Sequence, residues 1–289
     1  MRRLPKRSPT TICSYEPIER HIVTKRRRAA PRREAPTVAR DQSLAEQAYA
    51  AGDMAGAAQH FESAARTSTS GLARAEAWKD AGVALRACRR VGDAMASARN
   101  ARTAIETEHA PYAAYLRAEI AVLTGNCLAD QGRWPEADRE LAKAASEFTR
   151  LKKWIEAAQA TLGRARVLAE RGEKAASITL LEELREMQLP APLASQVFNN
   201  LGLLYKSEGR LREAREVLEQ DIVLCRRAED ASGEAIALLN AAGVIALQHE
   251  NAQALEYAGR AASLFARVGA PDGRERAKAF ANQLQGPLK

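Results

Sequence analysis

Aromatic residues are scarce: Phe, Trp and Tyr make up 5% of the 289 residues. Alanine is abundant in their place, so the sequence points to closely approaching helices rather than to a bulky β-core. No apolar run reaches the roughly 18 residues that a membrane-spanning helix needs. No apolar core follows the first charges, which argues against a secretory signal. The N-terminus is Arg-rich in the manner of a transit peptide, but Glu16, Glu19, Glu34 and several prolines argue against one.

Cysteine is scarce as well. Cys13, Cys88, Cys127 and Cys225 stand far apart, with neither metal-ligand spacing nor a disulfide framework. Three of them are expected to be small buried residues and Cys13 a tail thiol, which fits a reducing, cytoplasmic compartment. The four histidines, His21, His60, His109 and His249, form no HExxH or similar pattern. There is no GxSxG, no GxxxxGK[ST] and no GxGxxG. Nothing marks a catalytic, metal or cofactor site, and a non-catalytic protein without a cofactor is expected.

What is present is unevenly distributed. Residues 1–40 hold twelve Lys and Arg against three Glu, a net +9, so the remaining chain is −1 within an overall +8. The stretch TKRRRAAPRREAP carries Lys25, Arg26, Arg27, Arg28, Arg32 and Arg33 and has little apolar periodicity. A disordered basic tail over 1–40 is expected. It is read as a solvated extension, as a contact for nucleic acid or anionic lipid, or as a short signal for another protein. Tyr15 is its one aromatic residue, which weakens a base-stacking role.

The body of the chain repeats. Gly52, Gly92, Gly132 and Gly172 are spaced by 40, then come Gly209 after 37 and His249 after a further 40. Five residues after each stands a small residue: Ala57, Ser97, Ala137, Ser177, Ala214 and Ala254. Nine after stand Phe61, Ala101, Leu141, Leu181, Leu218 and Ala258; twelve after, Asp221 is the misfit among Ala and Leu. These offsets are helical on either side of a break, so each unit reads as helix, Gly-centred turn, helix. Pro111, Pro135, Pro190, Pro192 and Pro271 all fall at expected helix starts. One hairpin cannot bury its apolar stripe alone, but six in series can. The expected fold is all-α: a solenoid over 41–270, then a capping helix within 271–289.

Leu201, Gly202, Tyr205, Gly209, Ala214 and Leu218 together resemble the tetratricopeptide repeat (TPR). The stretch GRWPEADRELAKA, from Gly132 to Ala144, resembles its second half, with Trp134 where Tyr is more usual. The period exceeds the roughly 34 residues of the commonest form. It is similar to the longer repeats of kinesin light chains and many bacterial regulators.

The resemblance implies a right-handed solenoid whose first helices line a groove for an extended peptide or a partner helix. It puts Asn200 where a groove amide meets a peptide backbone, with Asn240 its equivalent one repeat later. An amide offers donors and an acceptor together, so it can read a peptide bond whatever the side chain. Packing between helices is the competing role for both. By periodicity, Lys79, Arg86, Asn126, Gln159, Arg166, Gln196, Asn199 and Lys206 join them on a polar, somewhat basic face. The full carboxylate clamp of such grooves is not reproduced. The expected function is an interaction scaffold that binds another protein, with a regulatory or sensor arm as the alternative and polyanion contact through the tail as a weaker one.

Overall fold

The structure is a computed structural model and describes residues 36–285. Among these residues the chain is helical throughout and no strand forms. They fall into two compact units, one within 36–189 and one within 190–285.

The first unit holds α1 (Pro36–Ala50), α2 (Met54–Thr67), α3 (Gly71–Ala87), α4 (Val91–Ala104), α5 (Pro111–Asp130), α6 (Trp134–Arg150), α7 (Trp154–Glu170) and α8 (Lys174–Arg185). The second holds α9 (Ala191–Ser207), α10 (Leu211–Arg227), α11 (Ala231–Leu247), α12 (Asn251–Arg267) and α13 (Pro271–Gln285). Successive helices within each unit pack as antiparallel hairpins. Helix α1 begins inside the stretch expected to be tail, and Val38 is 1% exposed beneath α2 and α3. Residues 1–35, with all six basic candidates of the tail, lie outside the described residues.

The links between helices are nearly all of one kind. A residue with positive φ ends the helix, and the next N–H closes a six-residue ring back into it. Nine such turns have their left-handed residue at Gly52, Arg89, Gly132, Lys152, Gly172, Gly209, Glu229, His249 and Gly269. The ring-closing bonds measure 2.8–3.2 Å, as from Arg133 N–H to the Leu128 carbonyl and from Glu250 N–H to the Ile245 carbonyl. The residue that closes each ring is also the N-cap of the next helix, so the whole link spans three residues.

Two sequence expectations need correction here. Gly92 is not a turn residue: it lies in the first turn of α4, and Arg89 takes the left-handed position. The true turns are therefore 37 residues after Gly52 and 43 before Gly132. A longer connection between α4 and α5 absorbs the difference. Cys88 is half-buried at the end of α3, whereas Cys127 and Cys225 are buried as expected.

The repeating columns are core. Ala57, Ser97, Ala137, Ser177, Ala214 and Ala254 are all at most 2% exposed, as small residues between crossing helices must be. Gly125 and Gly202 mark the closest approach within a hairpin, and Gly82 that between the first helices of neighbouring hairpins, against Leu123. A Cβ at Gly202 would stand 2.6 Å from Leu218 Cγ, and one at Gly125 2.7 Å from Leu141 Cγ. In the second unit Val197, Leu201, Leu218, Leu238 and Ile245 fill the centre. Helix α13 packs on α12 and buries only Ala277.

Candidate functional site

Side chains along the chain order the helices into two layers. The first helices of successive hairpins touch one another: α3 with α5, α5 with α7, and, in the second unit, α9 with α11. The second helices of successive hairpins approach less closely. The first helices therefore form the inner layer of each unit, and the groove candidates lie on them.

In the first unit the inner face is already engaged. Lys79 is 7% exposed, with its ammonium 2.5 Å from Asp80 and 3.7 Å from Glu119 on α5. Burial alone would lower the Lys79 pKa, but the Asp80 and Glu119 carboxylates outweigh it and hold it raised. Tyr112 donates to Glu76 at 3.0 Å, and Tyr115 donates to Glu156 at 3.4 Å. Arg86 Nε donates to Asp130 at 2.6 Å. The expected basic character is thus not found around Lys79: Glu76, Asp80 and Glu119 surround one ammonium. Lys79 and Arg86 are spent on ion pairs between neighbouring first helices. Arg166 is exposed on α7, and Asn126 and Gln159 are half-buried on α5 and α7.

The inner face of the second unit differs. Asn240 on α11 donates from Nδ2 to Asn199 Oδ1 on α9 at 2.5 Å. Asn199 is 7% exposed and ties the two helices together. Asn200, which the sequence pairs with Asn240, makes no side-chain hydrogen bond among the described residues and is half-buried beside them. Gln196, one turn earlier on α9, is likewise half-buried. Nearly two turns beyond Asn199 and Asn200 stands Lys206. Its Nζ lies 2.9 Å from where a Cβ would stand on Gly243, so the missing side chain makes room for the ammonium. No carboxylate pairs with Lys206 among the described residues, and burial lowers its pKa. The sequence signal for this pocket was Gly243, three residues beyond Asn240 on the inner face, which periodicity alone did not single out.

The buried misfit, Asp221, belongs to a separate cluster beneath this unit. It is 1% exposed and accepts from Cys225 Sγ at 3.4 Å, and Ser195 Oγ lies 3.3 Å from that sulfur. Burial pushes its carboxyl up to about 7, with Asp230 adding repulsion and no cation opposing it. Burial likewise pushes the Cys225 thiol up to about 12.

Among the described residues no group of three His, Cys, Asp or Glu is placed to hold a metal ion. No described helix is long and apolar enough to cross a membrane.

No protein-family description matches the sequence, and no curated protein matches it. Solved structures do share the fold. PilW, a type IV pilus biogenesis factor, is 18% identical with a TM-score of 0.63, over 84% of this chain and 98% of that one. A Rap protein complexed with competence and sporulation factor is 14% identical with a TM-score of 0.60, over 86% of this chain and 74% of that one. The TPR-like repeats of a Podosopora anserina putative kinesin light chain are 17% identical with a TM-score of 0.55, over 68% of this chain and 99% of that one. With its hairpins, its close-approach glycines and its two layers of helices, the chain folds as a tetratricopeptide-repeat protein.

Proposed function

We propose that the chain is a non-catalytic interaction protein that holds an extended segment of a partner protein on the inner face of its first helices, with its principal contacts on α9 and α11. The observation that carries this reading is unspent polar capacity at one place. Among the described residues, the Asn200 and Gln196 amides have no hydrogen-bond partner, and Lys206 is a half-buried cation without a carboxylate. Half-buried polar groups left unpaired cost stability, so a ligand that supplies carbonyls and a carboxylate recovers that cost. The Asn199–Asn240 bond holds the two helices in register beneath them. In the first unit the cations Lys79 and Arg86 are neutralised within the chain, so the reading of the ligand is assigned to the second unit.

A regulatory reading, in which the bound segment is itself a signal, draws support from the similar Rap structure, whose complex contains competence and sporulation factor. Polyanion contact through Lys25 to Arg33 stands apart from both and needs none of the inner face.

Selection of random displayed peptides on the full chain tests the proposal. Enriched peptides should lose about threefold to tenfold in affinity on Asn200→Ala, and more on Lys206→Ala, with the melting temperature unchanged. Peptides that bind both variants as tightly as the parent would place the contact elsewhere.

A further inference from the structure

The second-helix side of residues 190–285 carries a cleft that the peptide reading does not use. Its volume is about 730 Å³, and it opens between the end of α10, the start of α11 and the outer face of α12. Three guanidinium groups line it: Arg226, Arg260 and Arg267.

Only one of them is hydrogen-bonded to a carboxylate among the described residues. Arg226 donates from Nε and Nη2 to the same Glu234 oxygen at 3.0 and 2.8 Å, which pins the end of α10 to α11. Arg260 reaches Glu234 at 3.8 Å and Glu256 at 3.7 Å, beyond hydrogen-bond distance in both cases. Arg267 makes no ion pair among the described residues. Arg260 and Arg267 are seven residues apart, two turns of α12, so they share a face about 10 Å from end to end.

The floor supplies a second, independent observation. It includes Gly259, in the middle of α12. A mid-helix glycine is less favourable than alanine, and such a residue normally reflects close packing. Gly82, Gly125 and Gly202 fit that account, because a Cβ at each would collide with a neighbour. At Gly259 a Cβ would meet nothing within 4 Å. Packing within the chain therefore does not explain the glycine. Its effect is to leave open space on the helix between Arg260 and Arg267. Ser263, one turn on, lines the same floor and donates its hydroxyl to the Gly259 carbonyl at 3.0 Å.

We propose that this cleft is a binding site for a phosphate-bearing ligand with at least two negative charges, held between Arg260 and Arg267 over Gly259. Arg267 has no ion pair among the described residues and Arg260 only long ones, to Glu234 at 3.8 Å and Glu256 at 3.7 Å, so both forks keep hydrogen-bonding capacity for a dianion, and their spacing suits a diphosphate better than a single small anion. Arginine favours this chemistry because its planar fork meets phosphate oxygens two at a time. Glu234 keeps Arg226 at the rim, and the three arginines against Glu229 and Glu234 leave the lining a net positive charge of one.

Calorimetric titration of pyrophosphate into the full chain at low salt tests the site, with succinate as the carboxylate control. The expected result is saturable binding that weakens about tenfold or more with Arg260→Ala and with Arg267→Ala. Gly259→Leu should abolish it while circular dichroism stays unchanged. Replacing Arg26, Arg27 and Arg28 with alanine should leave it intact, because the basic segment is not the site. Absence of saturable binding up to about ten millimolar pyrophosphate overturns the proposal. So does loss of binding only in the Arg26–Arg28 variant, or succinate binding as tightly as pyrophosphate through the same arginines.

Discussion

Lys152, Glu229 and His249 occupy backbone conformations that L side chains disfavour, with φ of 56°, 57° and 65°. All three are exposed, so their side chains recover little by packing. The left-handed conformation costs roughly 1 kcal/mol or more in a residue with a Cβ. Glu229→Gly and His249→Gly are each expected to raise unfolding free energy by up to about 1 kcal/mol in denaturant titrations, part of the gain being offset by the freer unfolded chain. Asp221 makes the opposite kind of prediction. Its carboxyl is raised from the ordinary value to about 7 in the folded chain, so the folded state holds the proton more tightly than the unfolded one. Its unfavourable contribution is absent below about pH 4, grows as pH rises toward 7 and is constant above that. Asp221→Asn should therefore stabilise the protein by a few kcal/mol at pH 8 and by almost nothing at pH 4, measured as the difference in unfolding free energy between variant and parent at each pH. A difference that does not change with pH would mean that Asp221 is charged, and paired, throughout.

Among elements, the hairpin is where sequence and structure agree best. Glycines with an inner function and glycines without one can be told apart. Gly202→Ala gains helix propensity but drives a methyl into the fully buried Leu218, and should cost about 1–3 kcal/mol. Gly259→Ala meets no neighbour and should gain up to about 1 kcal/mol. Equal effects of the two, read from thermal melting, would sink the packing account. The small and large columns after each turn were legible because burial between crossing helices permits few residue types. The turn itself was only half legible. Four of nine left-handed positions hold Arg, Lys, Glu or His, and no side-chain chemistry announces them. Gly92, by contrast, fell on the expected spacing while serving as an ordinary first-turn residue. The inner face was legible as a set of positions and not as a set of partners. Nothing in a periodic pattern says that Lys79 meets Asp80 and Glu119, or that Asn240 turns to Asn199 rather than to Asn200. Those choices depend on offsets between helices of different hairpins, which a single-chain period does not encode.

At the scale of the whole molecule, charge and fold are assigned to different stretches. Removing residues 1–35 takes away eleven basic and three acidic residues and brings the net charge from +8 to zero. Such a chain should lose its retention on a heparin column at physiological salt. Its melting temperature should match the parent's, since α1 remains whole. Removing residues 1–40 instead cuts into α1 and deletes buried Val38, so this longer truncation should melt at a lower temperature. Equal melting of the two truncations would mean that the start of α1 contributes nothing to the fold.

The uniform three-residue link also bears on how such a chain can grow. In the second unit the left-handed residues fall every 20 positions, at 209, 229, 249 and 269, with the same backbone geometry inside a hairpin as between hairpins. A gene segment encoding one helix and its link could be duplicated there without any break in the backbone path. The result would nonetheless be out of phase: each later helix would exchange its place in the inner layer for one in the outer layer, and Asn240 with Lys206's neighbour Gly243 would leave the binding face. Only copies made two helices at a time restore the facing. The forty-residue period is thus a reading frame imposed on the backbone by the side chains, much as a codon is imposed on a nucleotide chain that would polymerise equally well in any step.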